Sequence, residues 1–185
     1  MLFRSSGTLT ISGPAGWTRL GTDVAGATGT LLQSLWWKAA TATDAGRAAT
    51  WTFSGSIRSA GVIYAVAGAT TSLPGAEQYK SSANPFSVAV INTPTLSLGA
   101  ARTGMAVVFG AMQTGSSELS VGTGYSIPSS GGSFAVSGGK GTTQIAIGSG
   151  YSGLITDSTI YPTTITMSAA GMNVGSAIFL DQVAP

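Results

Sequence analysis

Met105-Ala106-Val107-Val108-Phe109 is apolar at every position. Successive side chains of a strand point to opposite faces, so a run with no polar phase reads as a strand buried on both sides or covered by a neighbouring subunit. Val62-Ile63-Tyr64-Ala65-Val66 reads the same way. Thr50-Trp51-Thr52-Phe53-Ser54 alternates instead, which is the pattern of a half-buried antiparallel strand. Around these runs the chain is a series of short β-branched, aromatic and aliphatic segments divided by Gly, Ser, Pro and Asn.

The segments expected as strands are Thr8–Ser12, Thr18–Thr22, Thr30–Lys38, Ala49–Gly55, Gly61–Ala67, Phe86–Ile91, Gly104–Met112, Glu118–Gly122, Gly141–Gly148, Thr163–Met167 and Val174–Gln182. No stretch of ten residues keeps a helical period, and Pro74 to Tyr79 suits one or two helical turns at most. The glycine-rich stretch from Gly115 to Gly153 still carries strand-like pairs such as Phe134/Val136 and Ile145/Ile147, so it reads as long hairpins and marks no domain boundary. The expectation is therefore all-β: residues 1–185 as a single antiparallel β-sandwich, jelly-roll-like, with little or no helix.

Composition points away from catalysis. The 185 residues include no histidine, no cysteine and six carboxylates. Most enzyme mechanisms need a proton carrier tuned near neutrality, an activated nucleophile or a set of metal ligands. The carboxylates Asp23, Asp44, Glu77, Glu118, Asp157 and Asp181 never fall within ten residues of one another, so an acid pair forms only if folding brings two together. Otherwise each belongs to a turn or an edge, capping backbone groups. No enzyme activity, cofactor or metal site is expected.

Charged residues make up 8% of the chain, against about 25% in typical soluble domains. The eight cations stand singly along the chain, whereas nucleic-acid binders cluster theirs to neutralise several phosphates, so no nucleic-acid partner is expected. The apolar run from Gly61 to Gly68 is strand-length, well under the ~20 residues of a membrane span. Gly148-Ser149-Gly150-Tyr151-Ser152-Gly153 matches the dinucleotide-binding pattern, but the β-branched Leu154–Ile160 follows where a helix would have to open. It reads as a turn.

Five aromatics are candidates for an external contact. Trp36 and Trp37 are adjacent on an expected strand, so they face opposite ways and one is free to lie under a loop or to form a platform. Tyr79, Tyr125, Tyr151 and Tyr161 lie in or beside expected turns, where contact residues concentrate. The candidate contact surface is thus Trp36, Tyr79, Tyr125, Tyr151 and Tyr161.

Pro14-Ala15-Gly16-Trp17-Thr18-Arg19-Leu20, then Leu35-Trp36-Trp37-Lys38-Ala39-Ala40-Thr41, then Ala49-Thr50-Trp51-Thr52-Phe53-Ser54-Gly55-Ser56 and the strand Gly61–Gly68 follow one another in order. This succession resembles a β-sandwich domain of phage virion proteins and some bacterial surface proteins. The resemblance spans most of the chain, and its motifs are packing motifs. In physical terms, Pro-Ala-Gly makes a tight turn, Trp17 plugs one end of the sandwich, and Lys38 carries its ammonium to water where the strand leaves the core. Domains of this kind begin with an extra apolar strand ahead of the segment Met1–Arg4, and a fold without it leaves an edge open to another chain.

The resemblance and the sparse chemistry together imply a non-enzymatic virion structural protein: a capsid decoration, head-fibre or tail-surface subunit at the virion surface. Its expected partners are other virion proteins and copies of itself, with a host-surface glycan as a further candidate. The alternative is a carbohydrate-binding or adhesive module of a secreted or cell-surface protein, stacking sugars on a Trp or on turn tyrosines.

Overall fold

The computed structural model describes residues 10–26, 31–55, 58–113, 118–127, 135–137 and 145–183. The expected strand ends at Thr8, Thr30 and Gly141, and much of the glycine-rich stretch, lie outside the described residues. The chain is all-β and sandwich-like, built on one large antiparallel sheet. Its helical content among the described residues is two single 3-10 turns, Ala42–Asp44 and Ala76–Gln78.

Three long strands form the frame: β7 (Leu96–Gln113), β11 (Ile145–Ile160) and β12 (Thr164–Asp181). β7 lies between the other two, and the path continues outward to β10 (Ala135–Ser137) beside β11 and β5 (Tyr79–Ala83) beside β12. The short β9 (Tyr125–Ser126) also pairs with β11. β12 serves two layers. Its C-terminal part, from Met172, pairs with β7, while its N-terminal part pairs with β6 (Val88–Asn92) and β8 (Glu118–Val121). The register breaks between Thr166 and Gly171, where small residues let the strand turn from one layer into the other. Asn173 secures this corner: its side-chain amide donates to the carbonyls of Val88 (3.2 Å) and Gly171 (3.1 Å) and its amide oxygen accepts from Asn84.

Ala106–Phe109 is buried as its sequence predicts, Met105 is half-buried, and the two phases of β7 feed two cores. Ala106, Val108 and Met112 pack with Ile91, Leu96, Ile165, Met167 and Phe179 beneath the β6–β12–β8 layer. Val107, Phe109 and Ala111 pack on the opposite face with Leu20, Leu31, Leu35 and Val62. That second face is covered by the hairpin of β2 (Thr18–Ala25) and β3 (Leu32–Trp37) and by the segment around Ala60–Tyr64. β1 (Ile11–Ser12) and β4 (Thr52–Phe53) form a separate small pair, in which Phe53 is half-buried and Thr52 exposed.

Several sequence expectations change. Gly61–Ala67 pairs with no strand: it is an extended segment in which Val62 is buried and Ile63 is 58% exposed. Its apolar residues reflect one buried face plus surface, not two buried faces. Thr163–Met167 and Val174–Gln182 are parts of one strand, because the intervening small residues bend the backbone without ending it. Gly148–Gly153 is neither a turn nor a nucleotide loop but the middle of β11.

The glycines there have a packing role. Gly148 pairs with Gly110, and Gly110 with Gly175, so a row of three glycines crosses the three central strands. A Cβ on Gly110 would come 2.7 Å from Ile91 Cδ1, one on Gly150 would come 2.7 Å from Val121 Cγ2, and one on Gly175 would strike the Asn92 backbone carbonyl. The absent side chains allow the second layer to sit directly on the sheet.

Candidate functional site

Seven charged side chains among the described residues are engaged in ion pairs that frame the fold. Arg102 on β7 binds Asp181 (3.0 Å) and Glu77 (2.9 Å), and Gln78 joins the same knot through Asp181 Oδ2 (3.2 Å) and the Phe179 carbonyl (3.1 Å). Folding therefore brings two carboxylates together, but with a guanidinium between them that engages an oxygen of each. Asp23 accepts from Arg19 (3.3 Å) and from Ser34. Asp44 binds Lys38 and caps the turn at the Thr41 backbone N–H (2.8 Å). The Lys38 hydrogen bond, followed by those from Thr41, lowers the Asp44 pKa from 3.8 to about 2. No group of three or more metal-ligating side chains occurs among the described residues. Among them, no helix is long and apolar enough to cross a membrane.

The five candidate aromatics separate into two kinds. Trp36 lies beneath Gly13, where a Cβ would collide with its ring, and Trp37 packs at the margin of the core on the other face. Tyr79 opens β5 directly after the Ala76–Gln78 turn, whereas Tyr151 sits within β11 and not beside a turn; both lean on the core of the β2–β3 side. A strand position next to a large core draws an amphipathic ring inward. Trp17 packs edge-on against Trp51, with ring centroids 5.1 Å apart, and the Pro14–Trp17 turn closes with a 3.1 Å hydrogen bond.

Tyr125 and Tyr161 are brought together. Both line a groove of about 400 Å³, together with β11 residues including Ser152, Ile155 and Asp157. Tyr125 is fixed by the tight turn before it: its N–H donates to the Gly122 carbonyl (3.2 Å), and the Gly122 N–H donates to Thr164 (2.8 Å). Gly124 takes φ +85° in that turn, a conformation that favours glycine. Burial raises the pKa of the Tyr125 phenol. Tyr161 stands on the short link between β11 and β12, 69% exposed.

The β11–β7 register shifts twice beside this groove: between Tyr151 and Leu154 the extra residue is on β11, and between Asp157 and Thr159 the extra residues are on β7, between Ser97 and Arg102. At each shift a β11 side chain engages a backbone N–H group. The Ser152 hydroxyl accepts from the Ala106 N–H (2.9 Å), and Asp157 Oδ1 accepts from the N–H groups of Ser158 (2.7 Å) and Thr159 (3.1 Å).

No protein-family model, no curated protein and no solved structure matches this chain.

A second surface feature is apolar. Phe86 (71% exposed), Val88 and Val90 (each 37%) recur at every second residue along and just before β6. β6 is an edge strand that pairs only with β12 among the described residues. No charged residue occurs between Lys80 and Arg102, or between Asp157 and Asp181. The edge strand β6 and the part of β12 it pairs with thus carry none of the charges with which edge strands ordinarily repel one another. The sequence predicts a strand at Phe86–Ile91 without marking this row as a surface; its signal is the charge-free interval around an alternating apolar run.

Proposed function

We propose that this protein is a non-enzymatic structural subunit of a virion, a capsid decoration, head-fibre or tail-surface component, that works by burying strand surface against copies of itself and neighbouring virion proteins. The observation that carries this reading is the uncharged apolar edge formed by Phe86, Val88 and Val90. Two copies meeting along such an edge bring no like charges together, and each supplies the unpaired backbone groups the other needs. The engagement of the charged side chains in framing contacts supports the same reading, as does the resemblance of the Pro14–Leu20, Leu35–Thr41 and Ala49–Ser56 motifs to phage virion domains.

Mass spectrometry of purified phage particles from the source of the gene tests the assignment. A stoichiometric amount of the protein in intact particles is the expected result. Its absence from particles, together with a gene remote from capsid and tail genes, would remove the virion reading.

A further inference from the structure

We infer that the groove between Tyr125 and Tyr161 is a binding site for a neutral saccharide unit. This does not rest on the assembly reading: it concerns a different surface and uses none of the β6 residues.

The groove is a built feature. Its lining comes from the hydrogen-bonded turn that fixes Tyr125 and from β11, which bulges between Tyr151 and Leu154 where the Ser152 hydroxyl accepts from the Ala106 N–H, and which faces a bulge of β7 at Asp157. Bulges re-aim side chains next to functional sites. Its volume of about 400 Å³ falls within the roughly 300–1,000 Å³ of small-molecule sites.

The lining chemistry narrows the ligand. Tyr125 and Tyr161 offer aromatic surface with phenol groups at its edge, suited to a ring that is apolar on its C–H faces and polar at its rim. Asp157 uses only Oδ1 to accept from the Ser158 and Thr159 N–H groups, and Oδ2 makes no hydrogen bond among the described residues. Thr123 and Thr159 add hydroxyls that both donate and accept. No Lys or Arg lines the groove, so nothing there compensates a phosphate or carboxylate, and Asp157 repels one. A carboxylate oxygen, hydroxyls and two tyrosines match a pyranose with neighbouring hydroxyl groups.

The test uses the full chain with glucose, galactose, mannose and N-acetylglucosamine in saturation-transfer NMR, alongside an array of neutral glycans. At least one sugar is expected to bind, with affinity falling roughly five- to tenfold in Tyr161→Ala and retained in Tyr161→Trp. Tyr161 is exposed, so the variant's thermal melt is expected to match the parent's. Asp157→Asn is expected to weaken binding of the same sugar. No binding to any of these probes, binding unchanged in Tyr161→Ala, or binding of choline chloride without any sugar would overturn the inference.

Discussion

The two faces of the central sheet are packed by different means. Toward the β6–β12–β8 layer the contact is mainly aliphatic and close, with a row of glycines in place of side chains, Phe179 fully buried and Asn173 hydrogen-bonded to the Val88 carbonyl at one corner. Toward the β2–β3 hairpin the contact mixes apolar groups with buried polar ones: Gln33 donates to Ser176, Ser176 bonds Ser81 (2.6 Å), and the Tyr64 hydroxyl donates to Ser149 (2.9 Å). Close dry packing leaves no room for error in volume, whereas a hydrogen-bonded face is specified by partners. One strand, β7, meets both demands by alternating between them.

Substitutions can break this contrast. Phe179→Ala, on the dry face, is expected to destabilise by about 3–5 kcal/mol in denaturant unfolding, because the surrounding layer cannot collapse into the space. Gly110→Ala is expected to cost about 1–3 kcal/mol by overpacking against Ile91 and Ile165. Gly153→Ala, on the neighbouring strand with nothing within 4 Å of its Cβ position, is the matched comparison and should be close to neutral. An equal cost at both glycines would remove the packing account of the glycine row. On the polar face, Tyr64→Phe keeps the ring against Phe109 and loses its hydrogen bond, with an expected cost of about 1 kcal/mol.

The smallest effect belongs outside both faces, at Asp44. Its folded pKa lies below the unfolded one, so its contribution to stability is present above pH 3.8 and fades as pH falls toward about 2. NMR titration should follow this loss in wild type. Lys38→Met, which removes the principal cause, should move the Asp44 midpoint upward.

How far the sequence discloses this arrangement depends on whether a feature is local. Two-sided burial at Ala106–Phe109 is legible because neighbouring residues carry both phases. The same pattern at Val62–Val66 misleads, since apolarity does not say whether a hydrogen-bonding neighbour exists or whether Ile63 faces water. The glycine row is invisible along the chain: Gly110, Gly148 and Gly175 meet only through the registers of three strands. The groove is hidden for the same reason, because its tyrosines come from separate parts of the chain and Asp157 stands where the partner strand β7 bulges. Of the five aromatics singled out by sequence, Tyr125 and Tyr161 line it, while the other three are held by packing.

The proposal that burying strand surface is the function is tested most directly by sedimentation velocity on the wild type and on the double variant Val88→Lys/Val90→Lys. Both valines lie on an exposed edge strand, where lysine is well tolerated by a folded sheet. The wild type is predicted to sediment as an oligomer at micromolar concentration and the variant as a folded monomer with an unchanged circular dichroism spectrum. A wild-type protein that stays monomeric, or an oligomer of undiminished size in the variant, would contradict it.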